Sequence, residues 1–348
     1  MTKSAPQEDG LTKSVLLLGF DVGGTKIELS AVRVSVYDTH CTMLGHGYVV
    51  PKSESIIWKK RISTEREKGY ESILGKIEQL YQEFRTDVAD DVLAVGFGLP
   101  GTIDPRTGQM LNGNTNAFVH RSLKHDFGAI LPGIQHLDLV NDANAFALAE
   151  TFLGVGVDYE ESNSMGRHRH VSVGVILGTG CGGGLVCGGH LIEGRRGGAA
   201  EIGHTLLVSD GKPCFCGRRG CAEAYVSGTG LVESDFELTG EKRGGDQIFQ
   251  AAESGDSRAL EVVRTYKKNL AAFLANMTNA FDPHYFVLGG GVSLQKSIYE
   301  GLQETVTSQL FLPSGGPQIF QHRLGDSAGG IGAAIFSLRK VGTEEVFG

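Results

Sequence analysis

Cys214, Cys216 and Cys221 form a C-x-C-x4-C cluster, and His204 lies ten residues before the first of them. Thiols in a reducing compartment stay free, and cysteines packed this closely there bind metal more often than they pair. Three sulfurs and one imidazole complete the closed, four-coordinate set that structural zinc takes. Glycines at 217 and 220 let such a knuckle fold back until the sulfurs converge. Two carboxylates flank it, Glu201 three residues before His204 and Glu223 two after Cys221. A histidine fixed to metal through one ring nitrogen presents the other in a defined direction. A hydroxyl between that nitrogen and the two acids would be held as polyols are held. Taken alone, Glu201 and Glu223 read better as solvated loop acids.

Two further stretches could do chemistry. Residues 15–34 read as an apolar strand, the turn DVGGTK and a second strand, which places Asp21, Gly23, Gly24, Thr25 and Lys26 at a hairpin tip. Residues 171–192 repeat the plan around GTGCGG, with Gly178, Thr179, Gly180, Gly182 and Gly183. Glycines in such turns let backbone N–H groups face an anion. The first turn is neither a G-x-G-x-x-G nor a Walker A loop, and a second strand follows it instead of a helix. Asp21 and Gly178 open the two copies nearly half the chain apart, so the chain reads as duplicated, with two similar α/β parts that offer their hairpins to a shared cleft. Asp142, in NDANAFALAE, falls where a helix should start. A carboxylate there caps the helix by accepting an orphan N–H, or serves as a general base.

The elements that must position these groups are partly visible. Tyr70 to Phe84 has the stripe of an amphipathic helix, Val92 to Leu99 reads as a strand stopped by Pro100-Gly101, and Leu137 to Val140 as another strand. Arg258 to Phe281 is the longest helix candidate, ended by Asp282-Pro283. Residues 285–293 read as a strand and glycine turn, and 325–338 as a small-residue turn and a helix that packs back on the N-terminal part. Lys52 to Lys68 reads as an exposed charged stretch. Residues 157–170 read as a polar loop or hairpin insertion, with His168 and His170 as solvated surface residues.

Taken together, E-x-G-H, C-x-C-G-x-x-G-C-x-E, DVGGTK, GTGCGG and N-D-A-N-x-x-A-x-x-E resemble the ROK (repressor, open reading frame, kinase) family of sugar kinases, over about Leu16 to Leu338. That resemblance implies a two-lobed actin-like (ribonuclease-H-like) α/β ATPase fold with a zinc knuckle. It implies a smaller part of residues 14–140 with a returning helix at about 324–340, and a larger part of 141–323. The activity implied is ATP-dependent phosphorylation of the C6 hydroxyl of a hexose or N-acetylhexosamine, glucose or N-acetylglucosamine first. Asp142 becomes the general base. Gly98, Asn114, Asn141, Asp142, Glu201, His204 and Glu223 meet the sugar. The two hairpins hold the triphosphate, Asp21 partners Mg²⁺, Gly290 lies beside the adenosine, and Zn²⁺ on His204, Cys214, Cys216 and Cys221 is structural. A homodimer follows from the same resemblance.

Composition sets the outer limits. The 348 residues suit two ordinary domains; 41% are apolar and 21% charged, as in a globular protein, and there are 51 glycines. A net charge of −8 argues against a nucleic-acid surface. Met1 to Gly10 has no apolar signal core and no run approaches a membrane span, so a cytoplasmic location is expected. About 14 residues before the first strand leave too little for the helix-turn-helix of a sugar-responsive repressor. An actin-like or chaperone-like ATPase has no use for the Cys/His stretch. A manno-/fructokinase of the same family and a non-catalytic sugar sensor stay open.

Overall fold

The computed structural model describes residues 12–39, 48–113, 116–166, 169–312 and 314–341. The chain divides into two compact units, residues 1–145 with 326–348, and residues 146–325. Among the described residues no helix is long and apolar enough to cross a membrane.

The first unit is built on five strands: β1 (Thr12–Val22), β2 (Lys26–Thr39), β3 (Tyr48–Ser63), β4 (Ala94–Leu99) and β7 (His136–Asn141), in the order β3-β2-β1-β4-β7. A hairpin of β5 (Gly101–Ile103) and β6 (Met110–Gly113) extends from it. Strand β2 runs antiparallel to both β1 and β3; β4 is parallel to β1 and β7. Helices α1 (Tyr70–Asp87) and α2 (Leu123–Ile130) bury Ile73, Ile77, Leu80, Phe84 and Phe127 against the sheet. Phe97 stacks on Phe20 at 4.6 Å and on Phe127 at 4.2 Å, which ties β1, β4 and α2 into one core.

The stretch Lys52 to Lys68, expected as exposed charge, is largely the edge strand β3. Its cations are not all spent on solvent. Glu28 is fully buried on β2 and takes Arg61 at 2.6 Å and Lys59 at 3.2 Å. A buried carboxylate is tolerated only when paired, so the two strands register through this ion cluster as well as through their ladder. Arg61 also reaches Asp326 at 3.2 Å, and Lys59 donates to Ser327 Oγ at 2.7 Å.

The second unit has its own five-stranded sheet: β8 (Val171–Leu177), β9 (Cys181–Cys187), β10 (His190–Leu191), β11 (Tyr285–Gly289) and β12 (Gln318–Gln321), ordered β10-β9-β8-β11-β12. The two sheets share the plan of an antiparallel hairpin beside parallel strands. The core lies under α5 (Glu223–Val226), α6 (Gly228–Thr239), α7 (Gly245–Glu253), α8 (Ser257–Phe281) and α9 (Leu302–Thr307), where Val226, Leu270, Phe273, Leu274 and Leu302 are buried. Asp256 caps α8 by accepting from the N–H groups of Arg258 and Ala259.

The unit boundary falls inside α3 (Asp142–Phe152). Near its end, the fully buried Glu150 accepts from the N–H groups of Leu324 at 2.8 Å, Arg323 at 3.0 Å and Val155 at 3.2 Å. It thereby holds the chain just before the second crossing. Residues 157–163, expected as loop, belong to helix α4 (Val155–Asn163). His170 is buried rather than solvated, packed against Tyr159 at 5.0 Å and Tyr285 at 6.0 Å. His168 and Asn114 lie outside the described residues.

The chain returns to the first sheet as α10 (Ala328–Ser337), and backbone contact admits it. A Cβ on Gly96 would sit 1.7 Å from the Ala333 carbonyl oxygen, and one on Gly19 1.8 Å from that of Gly330. Gly96→Ala is therefore expected to cost about 3 kcal/mol, the upper range for overpacking. Gly75 is exposed on α1 with open space around it, and Gly75→Ala should gain roughly 0.5–1 kcal/mol from helix propensity. Denaturant unfolding of the two variants checks both signs.

Candidate functional site

The first glycine hairpin closes when the Gly23 N–H donates to the Lys26 carbonyl at 2.8 Å. Asp21 lies on β1 beneath it, 3.9 Å from Lys26 Nζ. Burial pushes the Asp21 carboxyl above its ordinary value, and the Lys26 charge works against that shift. Gly329, in the first turn of α10, comes so close that a Cβ there would lie 3.0 Å from Asp21 Cγ. Thr64 braces the hairpin from outside. It is fully buried, its hydroxyl donates to the Gly23 carbonyl at 2.7 Å, and its N–H donates to the Thr25 carbonyl at 3.0 Å. Sequence reasoning passes over Thr64 because nothing local marks it. Its partners are some forty residues away.

At the end of β7 the division of labour between Asn141 and Asp142 is resolved. Asn141 Oδ1 accepts from the N–H groups of Ala143 at 2.9 Å and Asn144 at 3.2 Å, the bonding pattern of an N-cap. Its Nδ2 donates to the Gly101 carbonyl at 3.1 Å. Asn141 thus spends its amide on α3 and on the neighbouring turn. Asp142 Oδ1 accepts from Ala143 N–H at 2.8 Å as well, but the reach to the third helical residue belongs to Asn141. Gly98 is buried in β4, walled by the Phe20 and Gly329 carbonyls.

In the second unit, Gly178, Thr179 and Gly180 form the turn from β8 to β9. Gly178 is held on three sides. Its N–H donates to the Gly180 carbonyl at 3.0 Å, its carbonyl accepts from Gly228 at 2.7 Å, and Gly290, at φ 79°, backs onto it. Gly182 and Gly183 lie inside β9, paired with Ile176 and Val175. Bareness at 183 admits protein: a Cβ there would lie 2.4 Å from Ile202 Cδ1. The turn Ile202–His204 lies on β9, with Gly203 against the Cys181 carbonyl. Just before it, Ala200 is held at φ 60°.

The knuckle closes around the predicted ligands. Ligand atoms of His204, Cys214, Cys216 and Cys221 all lie within 4.8 Å of one another. Cys216 and Cys221 Sγ are 3.6 Å apart, and Cys214 Sγ is 3.7 Å from His204 Nδ1. A tetrahedron drawn with Zn–S bonds of about 2.3 Å has edges of about 3.8 Å, so the donor set matches that ion once its widest pair draws in by no more than about 1 Å. The hydrogen bond from the Arg218 backbone lowers the Cys216 thiol to about 6, while burial pushes Cys214 up to about 12 and raises Cys221. Only one of the three sulfurs ionises readily alone; a divalent cation would be needed for all three to do so. Because Nδ1 faces Cys214, the other ring nitrogen of His204 points away from the sulfurs. Gly220 is required at φ 76°, where a Cβ would strike the Val208 carbonyl at 1.8 Å.

Glu223 connects the knuckle to the hairpin. One oxygen accepts from Cys181 N–H at 2.9 Å, and the other lies 4.0 Å from Cys214 Sγ. The predicted residues of the second unit therefore form one contiguous patch.

This arrangement has relatives. The sequence model of the ROK family matches residues 17–340. The N-acetyl-D-glucosamine kinases of Photobacterium profundum and Pectobacterium atrosepticum are 33% and 34% identical, each over 92% of this chain and 99% and 98% of their own. The chain belongs to the ROK family. Its fold is the mixed α/β, actin-like fold of ROK sugar kinases. The ROK hexokinase from Thermus thermophilus superposes with a TM-score of 0.75 at 28% identity, covering 93% of this chain and 97% of that one. A ROK glucokinase from Streptomyces griseus, in complex with glucose and AMPPNP, gives 0.67 at 29% identity, over 92% and 98%.

Two stability measurements follow from this geometry. Asn141→Ala should lose about 1 kcal/mol, the usual worth of an N-cap, whereas Asp142→Ala should cost less than about half of that. Ala200→Gly should gain about 1 kcal/mol by relieving a left-handed alanine. A cap on Asp142 instead would reverse the first pair.

Proposed function

We propose that this ROK protein is an ATP-dependent kinase that phosphorylates the C6 hydroxyl of an N-acetylhexosamine or hexose, with N-acetylglucosamine the leading substrate. The observation that carries this is the capping of α3 by Asn141, which relieves Asp142 of that duty at the head of the helix. The full-length likeness to N-acetylglucosamine kinases supports the choice of sugar.

In this reading the turn amides of Gly23, Gly24, Gly178 and Gly180, with Thr25, Lys26 and Thr179, hold the triphosphate, while Gly182 and Gly183 shape the strand behind the turn. Gly290 lies on the adenosine side. Asp21 would hold Mg²⁺, and His204, Cys214, Cys216 and Cys221 would hold Zn²⁺. When bound, magnesium supplies charge neutralisation to the phosphates and zinc supplies rigidity. Glu201, Glu223 and the outward nitrogen of His204 take sugar hydroxyls, with Asn114 and the backbone of Gly98 as further contacts. Asp142 accepts the proton of the C6 hydroxyl as that oxygen bonds to the terminal phosphorus. The bond to the bridging oxygen breaks, and ADP leaves with its electron pair. A homodimer, a cytoplasmic location and independence from nucleic acid are parts of the same proposal, the last supported by the net charge of −8.

Coupled ADP release across a panel of hexoses and N-acetylhexosamines tests this directly. Sugar-dependent turnover, fastest with N-acetylglucosamine, is expected; ATP consumption indifferent to every sugar would overturn it. Asp142→Asn should lose turnover by about 10²–10⁴-fold, the usual worth of a general base, while still binding nucleotide. Metal analysis should find about one zinc per chain, and Cys216→Ser should lose it. A zinc-free, fully active wild type would remove the metal from the account.

A further inference from the structure

The first hairpin has a further cation beside it, in a stretch whose charge looks solvent-bound from sequence. After Thr64 anchors the hairpin carbonyls, Glu65 turns the chain through the left-handed region at φ 50°, ψ 48°. That turn brings Arg66 back over the glycines. Its Nη1 lies 3.1 Å from where a Cβ on Gly24 would sit, with Cδ at 3.9 Å and Cζ at 4.0 Å. Gly24 thus leaves room for a guanidinium as well as for whatever the hairpin amides face.

The charge of Arg66 is uncommitted. It is exposed, and among the described residues its side chain makes no ion pair or hydrogen bond. The adjacent acid, Glu65, is taken by Lys76 at 2.7 Å and Lys68 at 3.1 Å, which hold its carboxyl below the usual range. Lys26, the other cation of this hairpin, faces Asp21. A guanidinium keeps its proton at any working pH and offers a planar fork of donors that matches phosphate oxygens.

We propose that Arg66 is a phosphate-contacting residue whose guanidinium binds the terminal phosphate of the nucleotide held at the first hairpin. This rests on the kinase reading above. As the sugar oxygen bonds to the terminal phosphorus and the bridging P–O bond breaks, charge spreads over the three equatorial oxygens of the moving group. Arg66 donates hydrogen bonds to those oxygens and transfers no proton itself. Its reach sets it apart from the turn amides, which act on the whole triphosphate.

The test compares wild type, Arg66→Met, Arg66→Lys and Thr64→Val by calorimetry with the β,γ-imido analogue of ATP and with ADP, each with Mg²⁺. Arg66→Met should weaken the analogue by about 10- to 100-fold, the worth of a charged hydrogen-bond pair, and ADP by less than about threefold. Arg66→Lys should recover part of the loss, and melting temperatures of both should match wild type. Thr64→Val, which removes a brace of the hairpin, should weaken both nucleotides alike. Equal losses for both nucleotides in Arg66→Met would make Arg66 a strut of the hairpin, and no loss would make it a bystander; either overturns the proposal. Wild type that binds neither nucleotide would instead refute the kinase reading beneath it.

Discussion

The carboxylate of Glu223 is the contact on which the second unit's site depends. It sits at the start of the short helix Glu223–Val226, directly after the last cysteine of the knuckle. One oxygen is committed to the Cys181 N–H, at the point where the glycine turn enters β9, and the other faces Cys214 Sγ. A carboxylate so placed reports the position of the knuckle to the turn. The turn is narrow because Gly180 leaves Glu223 no intervening side chain: a Cβ there would lie 2.6 Å from its oxygen. The Glu201–His204 segment is laid on the same strand through Ile202 and Gly203. Order in the knuckle, the acidic pair and the turn is therefore one property rather than three.

The first unit fixes its hairpin by other contacts. Its hairpin is braced by Thr64 and overlain by Arg66, and the strand that delivers them registers on β2 through the buried Glu28. Arg61 and Lys59 of that strand also hold Asp326 and Ser327 at the head of α10, whose first turn reaches Asp21. Charge pairing and close backbone contact here do what the Cys/His cluster does in the other unit.

What the sequence discloses is what is local. The two glycine hairpins, the knuckle ligands and α8 announce themselves by spacing within a few dozen residues, and the structure brings the four Cys/His donors together. What stays hidden is set by partners far along the chain. Lys59 and Arg61 look solvent-bound until Glu28 is seen beneath them. His170 looks exposed until Tyr159 and Tyr285 close on it. Arg66 reaches Gly24 only because Glu65 adopts a backbone conformation that no sequence rule assigns to glutamate. Asn141 and Asp142 are adjacent and both are good caps, so propensity alone could not say which of them caps α3.

Through Glu223, the knuckle and the glycine turn of the second unit should behave as one cooperative element. Amide hydrogen exchange over residues 178–183 tests it most directly, with the protein as purified, after metal chelation, and as Glu223→Ala. Both treatments should strip protection from the turn and the start of β9 while β11 and α8 keep theirs. A turn that stays protected after chelation opens the 201–223 segment would contradict it.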